Sequence, residues 1–181
     1  TAVACGHPYA DAGASVVEEL GYTLATAVEY LRALVDRGAS PARAAGGIVF
    51  ELSVGADFFM ELAKLRAARV LWSQVLATVG APERAADLVV HARTGRFGKT
   101  VLDPNVNMRR ATTEAFAAAA GGADSIETLP FDAVHGEPGE LSRRVARNAQ
   151  LVLQSESGIG HVTDPAGGAY SGLYVFTYSD V

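Results

Sequence analysis

The stretch that decides the fold reads IVFEL at residues 48–52, FFMELAKLRAARVLW at residues 58–72 and LVVH at residues 88–91. The first and last segments are short apolar runs bounded by turn residues, which is typical of buried strands. In the middle segment apolar residues recur at helical spacing, which predicts a helix over about residues 57–79 that ends before Gly80. Strand, helix and strand in this order predict a parallel βα unit.

The same alternation continues on both sides of this unit. Short apolar runs predict further strands at residues 2–5, 125–129 and 160–162. Helical patterns and caps predict helices at residues 12–36, 41–45, 104–120 and 138–154. Five strands alternating with helices predict an α/β fold with a parallel sheet.

Two architectures fit this alternation, a doubly wound sheet and part of a (β/α)8 TIM barrel. The turn after the first strand reads CGHPY at residues 5–9, without the G-x-G-x-x-G expected of a dinucleotide-binding sheet. A complete barrel needs about 250 residues, so this chain would form a little over half of one. An open half barrel exposes strand edges, which predicts completion by further sequence or by a partner.

Composition excludes several classes of protein. The 181 residues carry 15 Lys and Arg against 20 Asp and Glu, a net charge of −5, which argues against binding to nucleic acid. The apolar content of 49% argues against disorder, and no apolar run approaches the ~20 residues of a membrane helix. Residues 1–5 do not resemble a signal peptide, and the single Cys5 excludes an internal disulfide. These features predict a cytoplasmic protein.

Candidate site residues follow from the barrel rule that active sites lie at the carboxyl ends of strands. The rule selects Gly6, His7, Tyr9, His91, Arg93, Thr94, Arg96, Glu127, Thr128, Asp132 and Asp164. The segment HARTGR at residues 91–96 is expected to be a basic loop after the third strand, which could grip phosphate or carboxylate. The alternative is a solvated loop that is salt-bridged to nearby acids.

Metal-binding motifs are missing from the sequence. His7 is either a ligand-facing residue or a capped loop histidine, and Cys5 is expected to be a small buried apolar residue. The four histidines lack metal-ligand spacing, and Cys5 has no C-x-x-C partner. The sequence therefore predicts no metal site.

A family resemblance extends over most of the chain. The segment FFMELAKLRAARVLW at residues 58–72 resembles the F-x-E-I-A-K-x-R-A-x-R-x-L-W signature of the methylmalonyl-CoA mutase family. Four further segments agree in order and spacing, within residues 12–24, 103–110, 121–132 and 144–168. The resemblance covers about residues 2–170, and it implies a partial barrel domain at 1–170 that matches the later half of the family barrel. A divergent C-terminal tail, SGLYVFTYSDV, follows at 171–181.

What the resemblance implies is an acyl-CoA carbon-skeleton mutase of propionate metabolism, an isomerase that converts methylmalonyl-CoA to succinyl-CoA. Family members thread CoA through a (β/α)8 barrel and bind adenosylcobalamin in a separate domain that carries D-x-H-x-x-G. This chain lacks that motif, because DAVH at residues 132–135 has a different spacing. The chain alone is therefore expected to be inactive and to work within a larger assembly.

Pro8 distinguishes two roles within such an assembly. In family catalytic chains a histidine at this position contacts the substrate thioester carbonyl, and proline has no hydrogen-bond donor to replace it. Pro8 makes the chain resemble the small, non-catalytic subunit of a heterodimer, which stabilises a catalytic mutase chain. An isolated acyl-CoA-binding module is the remaining alternative.

The resemblance also assigns roles to other residues. Alignment on residues 12–14 places His7 at the family tyrosine, although a one-residue shift would place His7 in the role of the carbonyl-contacting histidine. His91 and Thr94 match a loop that touches CoA, where the family arginine is replaced by Val89. We therefore expect substrate binding by His7, His91, Arg93 and Thr94. Four residues beside helix or strand ends are expected to matter mainly for the fold, namely Arg110, Asp132, Arg147 and Asn148.

Overall fold

The computed structural model describes residues 1–168, so the divergent tail expected at 171–181 lies outside the described residues. The strands are β1 (Ala2–Cys5), β2 (Ile48–Val54), β3 (Val89–Thr94) and β4 (Ser125–Glu127). The α-helices are α1 (His7–Asp11), α2 (Val16–Asp36), α3 (Pro41–Ala45), α4 (Phe58–Thr78), α5 (Pro104–Ala120) and α6 (Glu140–Ser155). Two short 3₁₀ helices cover Pro82–Asp87 and Ile159–His161.

The four strands form one parallel sheet in the order β1-β2-β3-β4. The helices α2, α4 and α5 contribute to a single core on one face of this sheet. A doubly wound sheet carries helices on both faces, whereas strands in sequential order with helices on one face are the arrangement of a (β/α) barrel. The fold is therefore α/β and a partial (β/α) barrel, and residues 1–168 contain no closed barrel.

Alternation along the strands explains where the core lies. In β2 the side chains of Ile48, Phe50 and Leu52 are buried against the helices, and the Phe50 ring meets Trp72 of α4 at a centroid distance of 5.2 Å. The intervening residues of β2 face the other side, because successive strand residues point to opposite faces. That other face becomes the interior when a barrel closes.

Local caps explain why most helices begin and end where the sequence predicts. Ser40 caps α3 and Asp57 caps α4, while Asp103 precedes α5 with a proline in the first turn. The bounds expected for α3, α4 and α5 are confirmed to within a residue. The expected helix at 12–36 begins only at Val16, because Ser15 forms a capping box with Glu18, three residues further along.

Three expectations about the elements are wrong. Residues 7–11 form the separate helix α1 rather than a polar loop. The strand expected at 160–162 is a 3₁₀ helix that follows Gly158, whose φ of 70° turns the chain. The described residues therefore hold four strands rather than five, and Asp164 does not follow a strand.

No helix among residues 1–168 combines the length and apolar content needed to cross a bilayer.

Candidate functional site

A row of polar side chains crosses the sheet on the face that the helices leave free. Register pairs Cys5 with Glu51, Glu51 with His91 and His91 with Ser125. Paired residues of neighbouring parallel strands point to the same face of a sheet. The row therefore lies on the interior face of the partial barrel, where Cys5 ends β1, Glu51 and His91 lie within their strands and Ser125 begins β4.

Three chemically different groups meet at one end of this row. The Cys5 Sγ lies 3.1 Å from His7 Nδ1 and 3.5 Å from Glu51 Oε2, and His7 Nδ1 lies 3.4 Å from Glu51 Oε1. His7 enters the group because α1 begins directly after β1. Burial, the Glu51 charge and its hydrogen bond together raise the pKa of the Cys5 thiol to about 11. Cys5 is therefore a protonated thiol at neutral pH and a weak nucleophile.

The other end of the row combines an imidazole, a guanidinium and a carboxylate. His91 Nδ1 lies 2.8 Å from Ser125 Oγ, and Arg93 Nε lies 3.7 Å from Glu127 Oε2. Ligand atoms of Glu51, His91 and Glu127 all lie within 4.8 Å of one another. Within residues 1–168, two groups of side chains could therefore hold a metal ion, namely Cys5 with His7 and Glu51, and Glu51 with His91 and Glu127.

The prediction of a loop over residues 91–96 is wrong for residues 91–94, which lie in a strand. Residues 91–94 belong to β3, so strand alternation splits them between the two faces of the sheet. His91 and Arg93 face the barrel interior, whereas Thr94 is buried on the helix side and accepts a hydrogen bond from the Leu129 N–H at 2.8 Å. Arg96 lies beyond the strand and donates from Nη2 to the Ala133 carbonyl at 3.1 Å.

The remaining candidates after β1 do not join this row. Pro8 occupies the first turn of α1 and is exposed, and Tyr9 packs against Tyr22 of α2 at a centroid distance of 4.9 Å. Gly6 fits a close approach, because a Cβ there would lie 2.5 Å from the Thr23 hydroxyl. Asp164 pairs with Arg66 of α4 at 2.8 Å, which fits a structural role.

The four residues expected to support the fold differ in their contacts. Arg110 donates to the Gly98 carbonyl, and the Asp132 carboxylate accepts from the Gly139 N–H at 3.0 Å. Arg147 and Asn148 are exposed on α6 and make no side-chain hydrogen bond within the described residues. The burial on which their predicted role depended is therefore missing. Replacing either residue with alanine would leave no buried group without its hydrogen-bond partner.

Sequence reasoning missed two groups that the structure brings forward. Glu51 is the single acid within the apolar run at 48–52, and a carboxylate in such a strand is a signal that one face is polar. Lys64 is fully buried on α4, and its Nζ lies 2.5 Å from Glu19 Oε2 and 2.5 Å from Glu61 Oε2. The charges of Glu61 and Lys64 within an otherwise apolar helix were the available sign of that cluster.

Comparison with known proteins finds relatives that all belong to one family. A family model described as Methylmalonyl-CoA mutase matches residues 1–173. The chain is 43% identical over 162 residues to the methylmalonyl-CoA mutase small subunit of Porphyromonas gingivalis, covering 88% of this chain and 26% of that protein. It is 46% identical over 163 residues to the small subunit of Streptomyces virginiae, covering 90% and 26%. It is 41% identical over 167 residues to the methylmalonyl-CoA mutase of Cereibacter sphaeroides, covering 91% and 23%. The chain thus spans about a quarter of the length of these curated relatives.

Proposed function

The chain belongs to the methylmalonyl-CoA mutase family, and we propose that it is a barrel segment of a small-subunit-type, non-catalytic chain. Its role is to stabilise a catalytic mutase chain that isomerises methylmalonyl-CoA to succinyl-CoA with adenosylcobalamin. The single free cysteine fits the reducing cytoplasm, which is the location we propose for the assembly.

Pro8 is the observation that carries the proposal. It stands in the first turn of α1, at the position where catalytic chains of the family are expected to have a carbonyl-contacting histidine. A proline side chain has no N–H or O–H, so it cannot stabilise charge on a thioester oxygen. The neighbouring His7 is held by contacts to Cys5 and Glu51 and is not a free replacement.

The electrostatics of the interior face point the same way. Glu51 and Glu127 place two carboxylates on this face, and Arg93 balances one of them at 3.7 Å. Methylmalonyl-CoA carries a carboxylate on its acyl group, and like charges at close range repel strongly where water is excluded. This distribution of charge disfavours productive binding of a dicarboxylic acyl group at this chain's own face.

Residues 1–168 do not fit the cobalt-coordinating part of a cobalamin site. His135 donates its backbone N–H to the Asp132 carbonyl at 2.8 Å, which closes a turn, while the Asp132 carboxylate accepts from Gly139. The Asp132 carboxylate is therefore engaged by the backbone of its own loop, and the spacing of residues 132–135 is not that of D-x-H-x-x-G. In this proposal the cofactor belongs to other parts of the assembly, and no reaction step passes through these residues.

A test uses the full-length protein that contains this chain, purified together with its catalytic partner. We expect methylmalonyl-CoA turnover with adenosylcobalamin from the complex and none from the protein that contains this chain alone. Pro8→His in the complex should leave turnover unchanged. One hydrogen-bond donor to the substrate carbonyl raises the rate by roughly 10²–10³ only within a site that is already organised. His135→Gln, at an exposed loop histidine, is the matched control.

Two outcomes would contradict the proposal. Turnover by the protein without its partner would mean that this chain belongs to a complete catalytic barrel. A large gain from Pro8→His would mean that the interior face is organised for catalysis and that proline alone keeps it inactive.

Acyl-CoA contact without catalysis is a second candidate, favoured by His91 and Arg93 on the interior face. Both could meet the pantetheine or phosphate groups of CoA, and Arg is well suited to paired contacts with such oxygens. Calorimetric titration of the complex with CoA, before and after Arg93→Gln, tests this role. Unchanged affinity would exclude Arg93 from CoA binding. The predicted substrate contact of His7 needs its own variant, whereas Thr94 is buried on the helix side, away from this face.

A further inference from the structure

The carboxyl end of β1 brings together a thiol, an imidazole and a carboxylate from three separate elements. Cys5 ends β1, His7 begins α1 and Glu51 lies in the neighbouring strand β2. The backbone fixes this arrangement, because the Gly6 N–H donates to the Glu51 carbonyl at 2.7 Å. These three residue types are the ones that bind zinc in proteins.

The three groups lie close enough together to share one metal ion. Zinc binds sulfur at about 2.3 Å and nitrogen or oxygen at about 2.0–2.2 Å, so tetrahedral angles separate neighbouring ligand atoms by about 3.3–3.6 Å. The Cys5 Sγ lies 3.1 Å from His7 Nδ1, and Glu51 lies 3.4 Å from His7 through Oε1 and 3.5 Å from Cys5 through Oε2. One ligand atom from each residue lies within 4.8 Å of the other two, so a rotation of the Glu51 carboxyl group would bring a single oxygen toward both partners.

From this geometry we propose that Cys5, His7 and Glu51 form a site for a divalent transition-metal ion, with Zn²⁺ as the species that fits best. Three protein ligands leave a fourth position for water or an added ligand. The inference goes beyond the proposed function, because no step of a mutase reaction requires this ion. It also departs from the sequence expectation of no metal site, since ligands from three elements share no regular spacing.

The charges and access of the group fit such an ion. Cys5 binds as a thiolate and releases its proton to solvent, so this thiolate and the Glu51 carboxylate neutralise the two charges of the ion. His7 and Glu51 each keep 22% of their side-chain surface exposed, which leaves an entry path within the described residues. Hydrogen bonding among the three groups is the alternative explanation of their distances, and it predicts no affinity for metal.

A neighbouring group competes for the same carboxylate. Ligand atoms of Glu51, His91 and Glu127 also lie within 4.8 Å of one another, but Glu127 is exposed and the group includes no sulfur. His91 contacts Ser125, and Glu127 lies near Arg93, whose charge opposes a cation. These contacts favour the site with Cys5, and the two sites are separable by variants.

The test measures metal binding rather than activity. The full-length protein is stripped with a chelator, equilibrated with Zn²⁺ and analysed for bound metal, and Co²⁺ replaces Zn²⁺ for absorption spectroscopy. We expect about one equivalent of zinc at this site, because the three ligands define a single ion position. In the cobalt form we expect a thiolate-to-cobalt charge-transfer band in the near ultraviolet.

Variants then assign the ligands. Cys5→Ser should remove the charge-transfer band, and Cys5→Ser, His7→Gln and Glu51→Gln should each lose that equivalent of zinc. His135→Gln and Glu137→Gln, at exposed positions, should keep it. Far-ultraviolet circular dichroism checks that each variant is folded.

Three results would overturn the proposal. A wild-type cobalt form without a charge-transfer band would exclude thiolate ligation, whatever the variants do. Retention of the band in folded Cys5→Ser would assign it to another thiol. Loss of zinc in His91→Gln together with retention in His7→Gln would assign the ion to the neighbouring group. None of these results depends on turnover, so failure here and failure of the proposed function are distinguishable.

Discussion

Lys64→Met should destabilise the protein more than any other single change to a charged residue on α4. The Lys64 side chain is fully buried, and its Nζ lies 2.5 Å from both Glu19 Oε2 and Glu61 Oε2. It also donates to the Ser53 carbonyl at 2.7 Å, which joins α2, β2 and α4 in one cluster. Methionine fills similar volume but leaves both carboxylates without a cation.

The expected loss at neutral pH is about 3–5 kcal/mol, the usual cost of stranding a buried charge after its partner is removed. This is a large part of the 5–15 kcal/mol that stabilises a typical domain. Burial already raises the pKa of Glu19, although Lys64 and the Ser53 N–H oppose the rise. Without Lys64 the pKa of Glu19 rises further, so the carboxyl group takes up a proton on folding. Stability of the variant then falls as pH increases above the unfolded pKa of about 4.3.

Urea unfolding at pH 7 and pH 5, followed by circular dichroism, measures both effects. The deficit of Lys64→Met should be smaller at pH 5, and adding Glu19→Gln and Glu61→Gln should recover part of it. Arg66→Met on the same helix is the control, because Arg66 and Asp164 are 37% and 47% exposed and such pairs contribute about 0–1 kcal/mol. A Lys64→Met deficit as small as that of the control would refute the reasoning.

Three further substitutions test the packing. Gly21→Ala in α2 meets no atom within 4 Å and should stabilise the protein by about 0.5–1 kcal/mol in urea unfolding; a loss would mean that α2 is not helical there. Gly121→Ala would place a Cβ 2.8 Å from a Leu65 carbon and should cost about 1–3 kcal/mol, and an unchanged midpoint would contradict the close approach of α5 to α4. Asn107→Ala removes a buried amide that bridges Thr100 and the Phe131 carbonyl and should cost about 1–3 kcal/mol, so thermal unfolding at the wild-type temperature would rule out this bridge.

Helix bounds were predictable where the signals were local. The ends of α4 and α5 depend on Asp57, Asp103 and the glycines after each helix, all readable within a few residues. The five-residue α1 was not predictable, because a single turn of helix shows no periodicity. At residues 159–161 a short apolar segment was ambiguous between strand and 3₁₀ helix, and Gly158 with its positive φ decided the outcome.

The candidate site was predictable only in part, because register rather than sequence brings its members together. His7, His91 and Arg93 followed from their positions near the carboxyl ends of strands. Glu51 did not, since it lies in the middle of a strand whose alternate side chains form the core. Its partners are fixed by pairing to Cys5 on one side and His91 on the other. A one-residue shift in register would turn Glu51 toward the helices and remove it from both candidate metal-binding groups.

Glu51 therefore connects the two proposals while keeping them separable. As a free carboxylate it adds to the negative charge of the interior face and disfavours a dicarboxylic acyl group there. As a zinc ligand it is neutralised by the ion together with the Cys5 thiolate, so the negative charge at this end of the sheet is lost. Glu51→Gln removes the charge and the ion together, because an amide oxygen is a poorer zinc ligand than a carboxylate. Under the metal proposal, occupancy changes the charge at this one end of the face, whereas Pro8 offers the thioester carbonyl no hydrogen-bond donor whether or not the ion is bound.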